Sequence, residues 1–288
     1  MEEMHINWFP GHMKKTRELL VEQLKLIDVV VEILDSRIPK SSRNPEIVKI
    51  VKNVPKVILL NKMDLSDDKI SKDWINYFEK EGAKGVLINS TTGQGFDEVI
   101  KTIKEVNKEK MDNLVKKGRK RRPIRIMVVG IPNVGKSSFI NKLIGKKSAK
   151  TGDRPGVTKG KQWVRVKADM ELLDTPGILW PKFEDNEVAM NLAFTGAIKD
   201  EIMDLDEITL EFLKRISKRY PEALQGRFGI EVEDKEPIEL FDEIGKKRGC
   251  IIAGGEIDYS RASKLIMSEF RGGKLGRITL EVPDDEEI

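Results

Sequence analysis

The sequence has little of what several protein classes need. Its 288 residues include one cysteine, Cys250, so no disulfide can form within the chain. No stretch approaches the roughly 20 consecutive apolar residues of a membrane-spanning helix. Residues 1–13 lack the apolar run of a signal peptide and the Arg- and Ser-rich composition of a transit peptide. We therefore expect a soluble, cytoplasmic protein, and a monomer.

Charge is plentiful but unevenly distributed. Charged residues make up 35% of the chain and the net charge is only +4. Residues 116–122 are nevertheless strongly basic, and residues 283–288 are acidic. A local basic run says more about partners than the total does.

Short apolar runs alternate with helical patterns in the first part of the chain. The runs predict buried strands at Asp28–Leu34, Lys56–Leu60, Val86–Ile88, Ile124–Val129 and Met170–Leu173. Helical spacing lies between them, around Leu20 to Ile27, over Asp68–Glu81 and from about Phe96 to Val106. This alternation predicts an α/β fold with a doubly wound, mostly parallel sheet.

Helical patterns dominate after about Pro181. They predict helices at Asp185–Ile198, Asp206–Ser217, Pro237–Lys247 and Asp258–Phe270. We therefore predict two domains, residues 1–180 and an all-helical domain of residues 181–288. The polar, basic segment 108–123 is interpreted as a linker inside the first domain.

Residues 130–137 match the phosphate-binding pattern G-x-x-x-x-G-K-[ST]. They follow a predicted strand and precede a helical pattern, which is the context that this motif requires. Glycines let backbone N–H groups face phosphates, Lys136 can reach the β- and γ-phosphates, and the Ser137 hydroxyl can hold Mg²⁺. The predicted nucleotide contacts of this loop are Asn133, Val134, Gly135, Lys136, Ser137 and Ser138.

Two segments after the phosphate loop predict metal and switch functions. Asp174 ends a predicted strand, where it can hold Mg²⁺ through water, and the N–H of Gly177 can then sense the γ-phosphate. Thr158 lies in a Gly- and Pro-containing stretch typical of a switch loop, and it is the candidate for a second Mg²⁺ ligand. An ordinary turn hydroxyl is the alternative for Thr158.

An Asn-Lys-x-Asp motif follows the second predicted strand. The carboxylate of Asp64 can accept hydrogen bonds from the ring N–H and the exocyclic amine of guanine, which adenine does not offer. The motif therefore favours GTP over ATP. Base-side contacts are predicted for Asn61, Lys62, Met63, Asp64, Asn89, Ser90 and Thr91.

The motifs stand in a rotated order, with the base motifs ahead of the phosphate loop. A parallel sheet tolerates this order if the old termini are joined and a surface loop is cut. Segment 108–123 would then be the join. The chain after the second switch, residues 174–177, would lead directly into the helical domain, so movement of the switch could be transmitted there.

Together these motifs resemble the circularly permuted GTPases of the YlqF/RbgA family, which act in assembly of the large ribosomal subunit. Residues 8–13 resemble the N-terminal signature of that family, and residues 35–39 with 43–45 resemble its Asp-x-Arg-x-Pro segment. The resemblance spans essentially the whole chain. It implies a bacterial cytoplasmic or organellar protein that binds a large-subunit precursor and its rRNA, and that hydrolyses GTP there.

Hydrolysis poses a question, because Ile178 stands where many small GTPases have a water-orienting glutamine. The resemblance implies that His12 orients the water instead, and an imidazole suits that role. A structural role at the surface is the alternative. In similar GTPases an asparagine at the position of Asn133 helps to bind K⁺, whereas here it could simply shape the loop.

The last predicted helix is amphipathic and is followed by a basic, glycine-containing stretch. Such a surface suits contacts with RNA phosphates, although a solvated helix face has the same pattern. The candidate RNA-binding residues are Arg261, Lys264, Arg271, Lys274 and Arg277. Two other functions stay open: a GTP-gated RNA-binding module with negligible catalysis, and a GTPase with a non-ribosomal partner such as a tRNA or a membrane system.

Overall fold

The computed structural model describes residues 18, 20–120, 122–145, 163–173 and 185–283. Within them a six-stranded sheet has the order β3-β2-β1-β4-β6-β5. The strands are β1 (Val29–Asp35), β2 (Lys56–Asn61), β3 (Lys84–Ile88), β4 (Ile124–Val129), β5 (Trp163–Lys167) and β6 (Met170–Leu173). All neighbouring strands are parallel except β5 and β6. The predicted α/β fold with a mostly parallel sheet is confirmed.

Burial decides which strands the sequence reveals. Every residue of β1 is buried, because the strand is central and covered on both faces. The edge strand β5, which the apolar runs did not predict, is half-exposed and alternates apolar with basic side chains. Its antiparallel pairing with β6 closes this side of the sheet.

A helix follows each of the first four strands and packs against the sheet. These helices are α1 (Pro45–Ile50), α2 (Asp68–Lys80), α3 (Phe96–Lys116) and α4 (Lys136–Ile144). Local capping fixes where the first two begin. The side chain of Asn44 accepts hydrogen bonds from two backbone N–H groups of α1, and that of Asp67 does the same for α2.

Segment 108–123 is not a linker over its whole length, contrary to the prediction. Helix α3 continues to Lys116, because Asn107 and Met111 on its inner face are buried. Beyond the helix, Arg122 pairs with the buried Asp28 at 2.6 and 2.9 Å. Burial raises the pKa of Asp28, but hydrogen bonds from Arg122 and Lys110 outweigh it and leave the pKa below its ordinary value. The join is thus anchored to the start of β1.

Among the described residues, the region from 186 to 271 is mainly helical, as predicted. Its helices are α5 (Asn186–Phe194), α6 (Leu205–Arg219), α7 (Pro221–Phe228), α8 (Pro237–Lys247) and α9 (Tyr259–Arg271). Helix α7 was not predicted. These helices have their own apolar core, in which the Phe212 ring lies 5.5 Å from that of Phe194 and 4.7 Å from that of Phe270. None of the described helices is long and apolar enough to cross a bilayer.

The chain then returns to the sheet domain through residues 276–283, which we call the C-terminal tail. The N–H of Ile278 donates to the Leu65 carbonyl at 2.9 Å, and that of Leu280 donates to the Arg37 carbonyl at 2.8 Å. The indole Nε1 of Trp74 donates to the Glu281 carbonyl at 3.1 Å. The C-terminal tail therefore packs on the first domain, whereas the predicted division at residue 181 would assign it to the second.

Candidate nucleotide-binding site

The phosphate-binding loop joins the end of β4 to the start of α4. Gly135 caps the helix with a φ of 94°, a left-handed conformation that suits glycine, and a Cβ there would collide with the side-chain amide of Asn61. A Cβ at Gly130 would lie 2.7 Å from the Ile33 carbonyl oxygen. The two glycines of the motif are thus needed for the loop to fold closely against its neighbours.

The buried side chain of Asn61 joins three predicted loops. Its Nδ2 donates to the Val134 carbonyl at 2.6 Å, and its Oδ1 accepts from the Ser90 N–H at 2.9 Å. The phosphate loop, residues 61–64 and residues 89–91 therefore meet at the carboxyl edge of the sheet, where ligands of open α/β sheets bind. Motifs that are far apart in the chain form one site.

The base motif presents its carboxylate to solvent. Asp64 is exposed, and the loop behind it is fixed by hydrogen bonds from Met63 N–H to the Ile88 carbonyl (3.2 Å) and from Leu65 N–H to the Lys62 carbonyl (2.8 Å). An exposed carboxylate on a fixed loop suits the two adjacent N–H groups of guanine.

The second base loop is organised by Asn89. Its Oδ1 accepts from the N–H groups of Thr91 at 2.9 Å and Thr92 at 3.0 Å. Asn89 and Ser90 are buried while Thr91 is exposed. The structure therefore gives the side chain of Asn89 a loop-shaping role.

Lys136 and Ser137 form the first turn of α4 and are half-buried, while Ser138 is exposed. A hydroxyl at a helix N-terminus beside a phosphate loop fits Mg²⁺ held jointly with phosphate oxygens. The other predicted metal and catalytic residues, His12, Thr158, Asp174 and Gly177, lie outside the described residues.

Comparisons with known proteins identify the family. The family model described as 50S ribosome-binding GTPase matches residues 125–248. Ribosome biogenesis GTPase A of Bacillus cereus is 52% identical over 98% of this chain and 95% of its own length. The chain belongs to the ribosome biogenesis GTPase A family.

More distant relatives extend the match. Ribosome biogenesis GTPase A of Thermotoga maritima is 34% identical over 97% of this chain. The crystal structure of GNP-bound YlqF from T. maritima aligns with a TM-score of 0.64 and 30% identity, covering 95% of this chain and all of that one. This family member is thus a GTPase that hydrolyses GTP, and GTPases of its kind generally use Mg²⁺.

Sequence reasoning did not assign a role to the Asp-x-Arg-x-Pro segment of this GTPase. Asp35 lies beside the base motif: its carboxylate contacts Arg37 Nη2 and Lys62 Nζ, both at 2.8 Å. The guanidinium of Arg37, which is buried, stacks 5.3 Å from the centre of the Phe270 ring. A signal was present, because Asp35 directly follows the predicted strand Asp28–Leu34, at the edge of the sheet where ligands bind.

The candidate RNA-binding residues of this GTPase differ in exposure. Arg261, Lys264 and Lys274 are exposed. The guanidinium of Arg271 is instead occupied internally: it pairs with Asp200 at 2.8 Å and donates to the carbonyls of α5. In the structure the Arg271 side chain folds back to hold α5, so an RNA contact would have to compete with these internal partners. Arg277 pairs with Asp68 of α2 at the surface.

Proposed function

We propose that this GTPase binds precursors of the large ribosomal subunit in the cytoplasm and promotes late steps of their maturation. The observation that carries the proposal is the 52% identity to ribosome biogenesis GTPase A of B. cereus along nearly the whole of both chains. Identity at that level extends over the sheet domain and over the helices that follow it. The GTPase would therefore share its partner-binding part with that relative as well as its nucleotide site.

The geometry of the described loops supports roles for the phosphate loop and for the base motif. Backbone N–H groups of the phosphate loop cradle the phosphates, Lys136 adds a positive charge, and Asp64 selects guanine. Ser137 would hold Mg²⁺ together with Thr158 and Asp174, and the ion would neutralise charge that develops on the phosphates. Gly177 would sense the γ-phosphate.

We propose His12 as the residue that orients the attacking water, since Ile178 cannot do so. Ribosomal RNA would bring His12 into place, and the unstimulated rate would be low. His12→Ala should then lose stimulated hydrolysis while its affinity for GTP stays unchanged. Stimulated turnover that survives in this variant would rule the role out.

RNA contact is proposed through the exposed basic residues Arg261, Lys264 and Lys274. The surface pair of Arg277 with Asp68 is of a kind worth little in water, so Arg277 could exchange its partner for a phosphate. Such contacts would make binding weaken steeply with salt. Arg271 is left out because its guanidinium is held by Asp200 and by the carbonyls of α5.

The test is GTP turnover in K⁺ buffer, with and without purified large ribosomal subunits. Strong stimulation, with co-sedimentation of the protein and the particles, is the expected result. Co-sedimentation without stimulation would favour the alternative of a GTP-gated RNA-binding module, for which Ile178 is the specific observation. Neither effect would point to a non-ribosomal partner.

A further inference from the structure

Asp35, at the end of β1, pairs with two positively charged side chains, those of Arg37 and Lys62. It lies in register beside Asn61, the last residue of β2, so its side chain reaches the residue that follows, Lys62. The Nζ of Lys62 and the Nη2 of Arg37 both lie 2.8 Å from its Oδ2, and the Nε of Arg37 lies 2.9 Å from Oδ1. Both side-chain oxygens of a buried carboxylate are thereby used.

This carboxylate is ionised at physiological pH. Burial raises the pKa of Asp35, but the positive charges of Arg37 and Lys62 and their hydrogen bonds outweigh burial and hold the pKa well below its ordinary range. Asp35 therefore carries the negative charge that both ion pairs need.

Lys62 needs such an anchor. Its backbone has a φ of 64°, a left-handed conformation that is uncommon for a residue with a long side chain. The side chain is also flexible, so ordering it only when a nucleotide arrives would cost conformational entropy. The ion pair with Asp35 orders the Lys62 side chain in the folded protein, so this entropy is already lost before any ligand binds.

We propose that Asp35 is a positioning residue for guanine-nucleotide binding: its carboxylate fixes the ammonium of Lys62 and thereby sets the base-binding loop in its binding conformation. The inference rests on the proposed assignment of residues 61–64 to the base. It adds a residue outside the nucleotide motifs found in the sequence, located in the Asp-x-Arg-x-Pro segment.

A positioning role predicts a particular kinetic signature. The base is held equally in the ground state and the transition state of phosphate hydrolysis, so loosening it should raise KM for GTP and leave kcat unchanged. Asp35→Asn, which keeps the size of the side chain but not its charge, should raise KM and the Kd for fluorescent mant-GDP by about tenfold. An unchanged KM and Kd in a folded Asp35→Asn protein would overturn the proposal.

A double-mutant cycle separates positioning from general support of the fold. Lys62→Met keeps an apolar stem and removes the ammonium, and it should weaken mant-GDP binding about as much as Asp35→Asn. The double variant should be no weaker than either single one. Additive losses, or an unchanged Kd in Lys62→Met, would contradict the inference, and the second result stands even if Asp35→Asn does not fold.

Arg37→Leu is the matched control, because it removes the other partner of the same carboxylate. It should lower the melting temperature but change the Kd for mant-GDP by less than about twofold. A loss of affinity as large as that of Asp35→Asn would show that the carboxylate acts through Arg37, and would sink the proposal.

Asp64→Asn distinguishes failure of this inference from failure of the base assignment. In this variant the amide N–H group would face the exocyclic amine of guanine, so two donors would meet without an acceptor. The variant should therefore reject GDP and bind xanthosine diphosphate, which has a carbonyl at that position. If Asp64→Asn keeps its guanine preference, the proposed base site and the role of Asp35 are both wrong. If preference switches and Asp35→Asn binds normally, only the role of Asp35 is wrong.

Discussion

The helical region meets the base side and the phosphate side of the nucleotide site in different ways. On the base side, Phe270 stacks on the buried Arg37, and the C-terminal tail hydrogen-bonds to Leu65 and to Trp74. On the phosphate side, the described loop contributes an exposed hydrogen bond of 2.9 Å from Asn133 Nδ2 to the Gly196 carbonyl. The contacts on the base side are buried, whereas this hydrogen bond on the phosphate side is exposed and cheap to break. Leu192 and Ile198 of the helical region nevertheless share the apolar core of the sheet domain.

This difference suggests how a GTPase of this build can move. Loops that contact the γ-phosphate order and release during the cycle. If the helices are anchored beside the base, a change at the phosphates can break or remake the Asn133 contact without unseating them. The following changes test that division, from the largest expected effect to the smallest.

Phe270→Ala attacks the anchor on the base side. The ring is buried between Phe212 and Arg37, so its loss should leave a cavity and lower the free energy of unfolding by about 3–5 kcal/mol. Urea denaturation followed by circular dichroism measures this. Ile252→Ala, at an exposed apolar residue, is the control and should change stability by less than about 0.5 kcal/mol. Equal effects of the two variants would mean that no anchor exists there.

Lys136→Ala attacks the phosphate side. Removing a charge aimed at the transferring phosphate should lower GTP turnover by about 100-fold or more, which corresponds to about 2.7 kcal/mol. Stability in the absence of nucleotide should change little, because Lys136 is half-buried at a helix start rather than part of a core. A variant with normal turnover would remove this lysine from the mechanism.

The sequence predicted the nucleotide site better than the interface between the sheet domain and the helical region. Strands β4 and β6 have the bounds that their apolar runs predict, because a buried parallel strand leaves a continuous apolar pattern. The phosphate loop was equally readable, since its chemistry needs particular residues at local spacing. Strand β5 was missed because an exposed edge strand lacks that pattern.

Other features depend on contacts between distant residues. The pairing of Asp35 with Lys62 and the return of residues 276–283 to the sheet domain follow from the folded topology, and no local pattern encodes them. Helix α7 is a different kind of miss. Pro221 at its first turn and Gly229 after its last are ordinary start and stop signals, which were present and went unread.

Glu281→Gln tests the contacts of the C-terminal tail on the base side, through the pH dependence of the free energy of unfolding. The buried carboxyl of Glu281 accepts hydrogen bonds from Lys40 N–H at 2.7 Å, from Ser41 N–H at 3.0 Å and from Asn191 Nδ2 at 3.0 Å. Burial nevertheless raises its pKa from 4.5 to about 7, against those hydrogen bonds. The folded protein therefore keeps a proton that the unfolded chain releases, so stability from this group falls as pH rises between about 4.5 and about 7.

The glutamine variant cannot ionise at this position, so its stability should not fall in that window. Relative to the variant, the natural protein should lose on the order of 1–3 kcal/mol between about pH 5 and about pH 8. Thermal denaturation at the two pH values measures the difference, with Glu201→Gln at an exposed glutamate as the control. If the stability difference between the natural protein and Glu281→Gln does not vary with pH, the Glu281 carboxyl does not titrate in this range.

Asn133→Gly tests the weakest contact. Asn133 has a φ of 63°, so glycine removes the side chain without the backbone strain that alanine would add. Loss of the exposed hydrogen bond to Gly196 should change stability by less than about 0.5 kcal/mol. Asn133→Asp is the matched variant, because it loses the same donor and keeps a side-chain oxygen.

The pair also decides whether Asn133 helps to bind K⁺, since Nδ2 serves Gly196 while Oδ1 is the atom suited to a cation. At saturating GTP, the turnover ratio between K⁺ and Na⁺ buffers should fall to one in Asn133→Gly and persist in Asn133→Asp. If both variants keep the ratio of K⁺ to Na⁺ turnover of the natural protein, Asn133 does not bind K⁺ and serves only as the donor to the Gly196 carbonyl. A large loss of stability in either variant would instead mean that the phosphate side is an anchor too, and that the helices cannot move independently of it.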